Sequence, residues 1–266
     1  MASIVVYDSG VGGLTVYQEI VKHCPGHTII FVSDNDAFPY GTKTEEALIS
    51  RVLKVTRRIK AVFSPDVLVV ACNTASTVVL PFLRERFSFD VVGVVPAIKP
   101  AAQISRTGHI CLLATPGTIT RFYTDDLIKR FASNCVVHKI GSSDLVELAE
   151  SKLLGNTPDL NVLKPIIKPI VDDSLIDVLV LACTHFPLLS KEITEQLEIN
   201  HRQVTLIDSA KAVALRVSAL VEDGCATDRV LPSTARLAVF TKKVSHLSLL
   251  ENLKGIGFTD VNYLDV

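Results

Sequence analysis

Twice in this chain a run of aliphatic residues closes on an Ala-Cys pair and passes straight into a segment with helical spacing. The first is Asp66-Val67-Leu68-Val69-Val70-Ala71-Cys72-Asn73-Thr74-Ala75-Ser76, and the second is Asp177-Val178-Leu179-Val180-Leu181-Ala182-Cys183-Thr184-His185-Phe186-Pro187. Short, continuous apolar runs of this kind suit strands buried on both faces, as in parallel sheets covered by helices. A cysteine directly after such a strand sits at its carboxyl end, where open α/β sheets bind their ligands. There the positive end of the next helix, with its unpaired N–H groups, favours thiolate. One cysteine in such a place has an ordinary reading as a small buried residue. Two in matching frames, each followed by hydrogen-bonding side chains, read as a pair of thiols facing one site.

The rest of the chain alternates in the same way. Strands are predicted at 4–7, 28–33, 91–95, 110–114, 136–140, 204–207 and 236–241. Helices are predicted at 14–23, 45–63, 120–131, after Gly141-Ser142-Ser143, after Pro158 and at 210–222. Residues 34–44 form a polar loop, Pro96 and Pro100 mark a joint, and an amphipathic segment and an edge-like strand end the chain. Strand-helix alternation predicts an α/β fold of parallel sheets joined by right-handed crossovers. The order repeats: Asp8-Ser9-Gly10 corresponds to Thr115-Pro116-Gly117, and Cys72 to Cys183. A divergent duplication of this kind predicts two similar lobes whose strand ends face a shared cleft.

With 266 residues the chain has room for two small domains or one large one, and a formal net charge of −1 supplies no field for nucleic acid or an anionic membrane. No apolar run reaches the length of a membrane span. The opening Met1-Ala2-Ser3-Ile4 runs directly into a strand without an export signal, so a cytoplasmic protein with reduced thiols is expected. The cysteines at 24, 72, 111, 135, 183 and 225 form no CxxC pair. Cys183-x-His185 supplies only two ligands, so no metal site is expected.

Asp8-Ser9-Gly10-Val11-Gly12-Gly13 lacks the lysine of a P-loop and has Thr15 where a dinucleotide fingerprint needs its third glycine. It reads better as a tight turn offering N–H groups to a small anion. Asp8 is either a helix cap, a partner for an ammonium group, or a base. His185 either caps its turn or hydrogen-bonds substrate or the Cys183 thiol. Asp144 and Glu147 fit a capping box, which leaves Glu150 as the better candidate for a functional carboxylate, against the alternative of a solvated helix face. A Cys-His hydrolase would use one cysteine and leave the other unexplained. Two thiols on opposite walls suit proton removal from one face of a carbon centre and delivery to the other, which yields the mirror image without a cofactor.

Asp8-Ser9-Gly10-Val11-Gly12-Gly13-Leu14, Pro39-Tyr40-Gly41, Ala71-Cys72-Asn73-Thr74-Ala75-Ser76, Ala114-Thr115-Pro116-Gly117-Thr118 and Ala182-Cys183-Thr184-His185-Phe186-Pro187-Leu188-Leu189 stand in one order. In that order they resemble the aspartate/glutamate racemase family, and within it the bacterial cell-wall glutamate racemases. The resemblance runs to Ile207-Asp208-Ser209. It implies two flavodoxin-like domains facing each other across an active-site cleft, residues 1–96 with 210–266 and residues 97–209. It also implies interconversion of L- and D-glutamate without pyridoxal phosphate, supplying D-glutamate for peptidoglycan. Cys72 and Cys183 become the acid/base thiols, with Asp8 and His185 assisting and Glu150 supporting the His185 side. Ser9, Tyr40, Gly41, Asn73, Thr74, Thr115, Thr118 and Thr184 would hold substrate. Glu-Leu-Ala-Glu at 147–150 is similar to enzymes of proteobacterial type, some of which need a peptidoglycan precursor as activator, and the resemblance also admits a homodimer. Two rivals stand beside this reading: an aspartate racemase, and a non-catalytic amino-acid-binding module, which would have no use for two thiols.

Overall fold

The computed structural model describes residues 1–224 and 236–266, so Cys225 lies outside the described residues. The first half-chain runs β1 (Ser3–Asp8), α1 (Leu14–His23), β2 (Thr28–Ser33), a 3₁₀ turn at Tyr40–Thr42, α2 (Glu45–Phe63), β3 (Val67–Val70), α3 (Asn73–Arg86) and β4 (Asp90–Gly93). Then follow α4 (Ile98–Ile104), β5 (His109–Ala114), α5 (Pro116–Ile119), α6 (Phe122–Phe131), β6 (Val136–Gly141), α7 (Asp144–Leu153) and α8 (Leu160–Asp172). The chain continues through β7 (Ile176–Leu181), a 3₁₀ turn at Phe186–Leu189, α9 (Ser190–Ile199), β8 (Thr205–Ile207) and α10 (Ala210–Gly224). It ends with β9 (Leu237–Phe240), α11 (Leu247–Ile256) and β10 (Asp260–Tyr263).

The strands form two sheets, ordered β10-β9-β2-β1-β3-β4 and β6-β5-β7-β8, and every pairing is parallel. The run β2-β1-β3-β4 repeats as β6-β5-β7-β8, so the duplication read from the motifs is present in the strand order. Alternate residues of one strand feed opposite faces. Ile4 and Val6 pack on one side of the first sheet, Val5 and Tyr7 on the other; Cys111 and Leu113 oppose Ile110 and Leu112 in the second. With both faces covered, β3 is buried at every position, which explains its unbroken aliphatic sequence. The two passages between the sheets lie side by side, where Ser209 Oγ donates to the Val95 carbonyl (2.5 Å).

Several local readings differ from what formed. The joint at Pro96 and Pro100 contains the short helix α4, with Pro100 in its first turn, where a missing N–H costs nothing. The helix expected over 120–131 forms as α6, and the short helix α5 precedes it where only a strand-to-helix turn was read. Within α2, Arg51 turns inward to Asp34 (2.6 and 2.8 Å).

Candidate active site

Cys72 is the N-cap residue of α3, one alanine beyond β3, and Cys183 stands one alanine beyond β7. Both line one cleft of roughly 540 Å³, mouth included, between the carboxyl ends of the two sheets. Ser9, Tyr40, Gly41, Asn73, Thr74, Thr115, Thr184 and His185 line it too. The structure adds Phe38, Pro39, Thr42, Ser143 and Val146, which were not candidates from sequence, and Glu147, which was read as part of a helix cap. Asp8, Thr118 and Glu150 stand behind this lining, hydrogen-bonded to Thr184, to Thr74 and Thr115, and to His185.

Around Cys72, the Ser9 hydroxyl lies 3.8 Å from Sγ and the Ala75 N–H points at the sulfur. Burial pushes the thiol pKa well up, and the Asp8 charge adds to it. The N–H at the helix start pulls the other way and loses. The expectation that the helix start holds this cysteine as thiolate is therefore corrected, because loss of hydration outweighs the bonds from the Ala75 N–H and the Ser9 hydroxyl.

On the other wall, His185 Nδ1 lies 3.8 Å from Cys183 Sγ and Nε2 lies 2.7 Å from Glu150 Oε1. Burial works against a charged imidazole, but Cys183 and Glu150 together outweigh it and hold the His185 pKa well above its ordinary value. Glu150 Oε1 also accepts the Val11 N–H (2.9 Å), so this carboxylate is not on a solvated face. The capping box read at Asp144 and Glu147 does not form. Ser143 is the N-cap residue and makes no side-chain cap, which places Glu147 one position too deep and leaves it lining the cleft.

The glycine turn serves this arrangement by closeness. None of Gly10, Gly12 and Gly13 has a positive φ. A Cβ on Gly12 would sit 2.5 Å from His185 Nδ1, one on Gly13 would sit 2.7 Å from Asp8 Cβ, and one on Gly10 would overlap Glu150 Oε1. The anions that its N–H groups meet are the protein's own, Glu150 at Val11 and Asp8 at Ser9 and Gly13. Asp8 is fully buried, and burial raises its pKa against the pull of His185, the two N–H groups and the Thr184 hydroxyl, which donates to it (3.0 Å).

Threonine hydroxyls join the lobes on the far side. Thr74 Oγ1 lies 3.0 Å from Thr115 Oγ1 and 3.3 Å from Thr118 Oγ1, and Arg121 donates to the Thr74 carbonyl (2.5 Å). The Tyr40 hydroxyl is occupied by Tyr7 and Asp34, so the cleft meets the rest of Tyr40. Asn73 Nδ2 is buried without a hydrogen-bond partner among the described residues, a donor set for an acceptor from outside the chain. The site can therefore hold a small molecule rich in acceptors between two thiols, each with its own polar support.

The family described as Asp/Glu/Hydantoin racemase matches residues 5–217. Curated glutamate racemases are similar over most of the chain. One from Photorhabdus laumondii is 51% identical over 83% of this chain and 76% of its own, and one from Shewanella halifaxensis is 48% identical over 97% and 95%. Among solved structures, Escherichia coli glutamate racemase, in complex with L-glutamate and the activator UDP-MurNAc-ala, is 43% identical. It superposes with a TM-score of 0.92, covering 99% of this chain and 98% of that one. An aspartate racemase from Picrophilus torridus, 19% identical with a TM-score of 0.54 over 84% and 94%, shares the fold alone.

Proposed function

This chain, a member of the Asp/Glu/hydantoin racemase family, is an isomerase that racemises glutamate, and we propose that it does so by a proton exchange between Cys183 and Cys72. The observation that carries this mechanism is a pair of thiols lining one cleft from two sheets, with different support behind each.

In the L-to-D direction, the Cys183 thiolate takes the α-proton of L-glutamate. His185, held by Glu150, keeps positive charge beside that sulfur. The electron pair left on Cα is delocalised into the α-carboxyl group, and the Cys72 thiol delivers its proton to the opposite face. D-glutamate leaves with Cys183 as thiol and Cys72 as thiolate, the state that acts on D-glutamate in reverse. Burial and Asp8 favour the protonated form of Cys72, which suits it to deliver a proton to the carbanion. Asn73 and the hydroxyls of Ser9, Thr74, Thr115 and Thr184 supply donors for the two carboxylates, with Thr118 behind them. Ordering these groups around the substrate before proton transfer is where most of the barrier reduction originates.

Residues 1–96 with 210–266, and residues 97–209, form the two lobes in this reading; the tail strands β9 and β10 extend the first sheet. The E. coli relative was solved with UDP-MurNAc-ala. A peptidoglycan precursor therefore enters as the proposed activator here. Behind the glycine turn a second cavity, lined in part by Gly10, Val11, Lys243 and His246, touches the same Glu150 that holds His185. Among the described residues no helix is long and apolar enough to cross a membrane. A cytoplasmic place, feeding D-glutamate to cell-wall synthesis, follows from the family.

The test is circular dichroism of L-glutamate and L-aspartate solutions with the purified chain and no added cofactor, with and without the precursor. Decay of the glutamate signal to zero, with an unchanged aspartate signal, is expected. Faster decay with aspartate, or a need for pyridoxal phosphate, would contradict the reading.

A further inference from the structure

We propose that His109, His138 and Asp173 bind one divalent transition metal of the zinc class at the amino end of the second sheet, away from the cleft. In the register of β5 and β6, His138 pairs with Cys111, so His109 and His138 lie diagonally on one face of neighbouring strands. The turn from α8 into β7 brings Asp173 to the same place. His109 Nδ1 and His138 Nε2 are 3.3 Å apart, His138 Nε2 and Asp173 Oδ2 are 3.5 Å apart, and all three atoms lie within 4.8 Å of one another. Zinc bonds of about 2.0–2.1 Å in a tetrahedral site set ligand atoms about 3.3–3.4 Å apart. Two edges of the triangle already have that length, and the third closes by a small side-chain movement. Both contacts are long for direct hydrogen bonds, whose usual N–H···O separation is about 2.9–3.0 Å.

The supporting contacts also fit. The Leu175 N–H donates to Asp173 Oδ1 (2.9 Å), which fixes the carboxylate and leaves Oδ2 turned to His138. Arg202 anchors the turn through the carbonyls of Asp173 (2.6 Å) and Ile176 (2.8 Å). Orientation of ligands by a second ring of hydrogen bonds is typical of metal sites. The His138 and Asp173 side chains are about one-third exposed, so water can complete the coordination. A metal here ties the edge strand β6 to β5 and to the turn entering β7, and β6 leads into α7, which carries Glu147 and Glu150. Sequence reasoning looked for metal ligands among the cysteines and at His185. His109 and His138 meet only through strand pairing.

The full chain, stripped with a chelator and kept reduced, is titrated with cobalt(II) and then with zinc. One equivalent of cobalt with visible d–d bands and no near-ultraviolet thiolate charge-transfer band is expected, displaced by zinc with a rise in Tm. His138→Ala and Asp173→Asn should bind at least about 100-fold more weakly and lose the rise in Tm, while racemising glutamate at the parent rate, which shows that they fold. No cobalt signal at millimolar metal, a thiolate charge-transfer band, or parent affinity in both variants would overturn the site.

Discussion

Burial holds Cys72 as a thiol, whereas Cys183 and Glu150 hold His185 as an imidazolium against burial. Three outcomes follow at single residues. Alkylation of Cys72 by iodoacetamide, read by mass spectrometry, should be slow at pH 7 and still rise about tenfold per pH unit between pH 7 and 9, since only thiolate reacts. A plateau below pH 8 would show that the helix start governs this sulfur after all. For His185, a folded-state pKa above the unfolded value of about 6.5 contributes stability that is complete below that value and is lost as pH rises through the folded one. Glu150→Gln removes one of the supports and lowers the folded value, so denaturant titrations from pH 6 to 9 should show a smaller loss that is complete at lower pH. The same variant should lower kcat by less than the roughly 10²-fold of a lost acid–base group. Burial raises the folded pKa of Asp8, so its ionisation costs stability that sets in above the unfolded value of about 3.9 and is complete above the folded one. Asp8→Asn should therefore unfold at a higher temperature than the parent at pH 8, less so at pH 4, while losing most activity. A lower Tm at both pH values would contradict the assignment.

The strand-to-helix turns carry the site, and they were legible to different degrees. β3 with Cys72 and β7 with Cys183 could be read because an aliphatic run, a cysteine and a helix start are adjacent in sequence. The glycine turn was legible as a turn but not in its purpose, since the groups it accommodates, His185 and Glu150, arrive from the other lobe. Glu150 could be narrowed to the better of two glutamates by excluding Glu147, yet the capping argument that excluded it fails, because α7 starts one residue earlier, from Ser143, and no side-chain cap forms. The inward turn of Arg51 to Asp34, and the engagement of the Tyr40 hydroxyl behind the cleft, depend on packing between β2, the 3₁₀ turn and α2, which no local spacing encodes. At this scale the expected outcome concerns Gly12→Ala. Its Cβ would press on the His185 ring, so activity should fall about 100-fold through misplacement of the imidazole, with a much smaller proportional effect on stability. Parent kcat in this variant would remove the turn from the account.

Over the whole molecule, the repeated strand order was foreshadowed by the paired motifs, while the return of the tail to the first sheet rested on resemblance alone. Contacts that join the lobes, Asp8 to Thr184, Val11 to Glu150 and Thr74 to Thr115, place the two thiols in one cleft although each belongs to its own sheet. Because proton exchange uses only these side chains, racemisation should survive dialysis against a chelator, even where removal of a metal from His109, His138 and Asp173 lowers Tm. Restoration of a chelated, inactive protein by zinc would contradict this. The central claim is that each thiol serves one face of Cα, and its most direct test uses glutamate analogues with a leaving group on the β-carbon, for which proton abstraction alone gives elimination. Cys72→Ser and Cys183→Ser should each abolish racemisation, since a full turnover needs both groups. Cys72→Ser, keeping the Cys183 base, should eliminate from the L-analogue, and Cys183→Ser from the D-analogue. The same stereochemical preference in both variants, or full racemisation by either, would contradict the two-thiol mechanism.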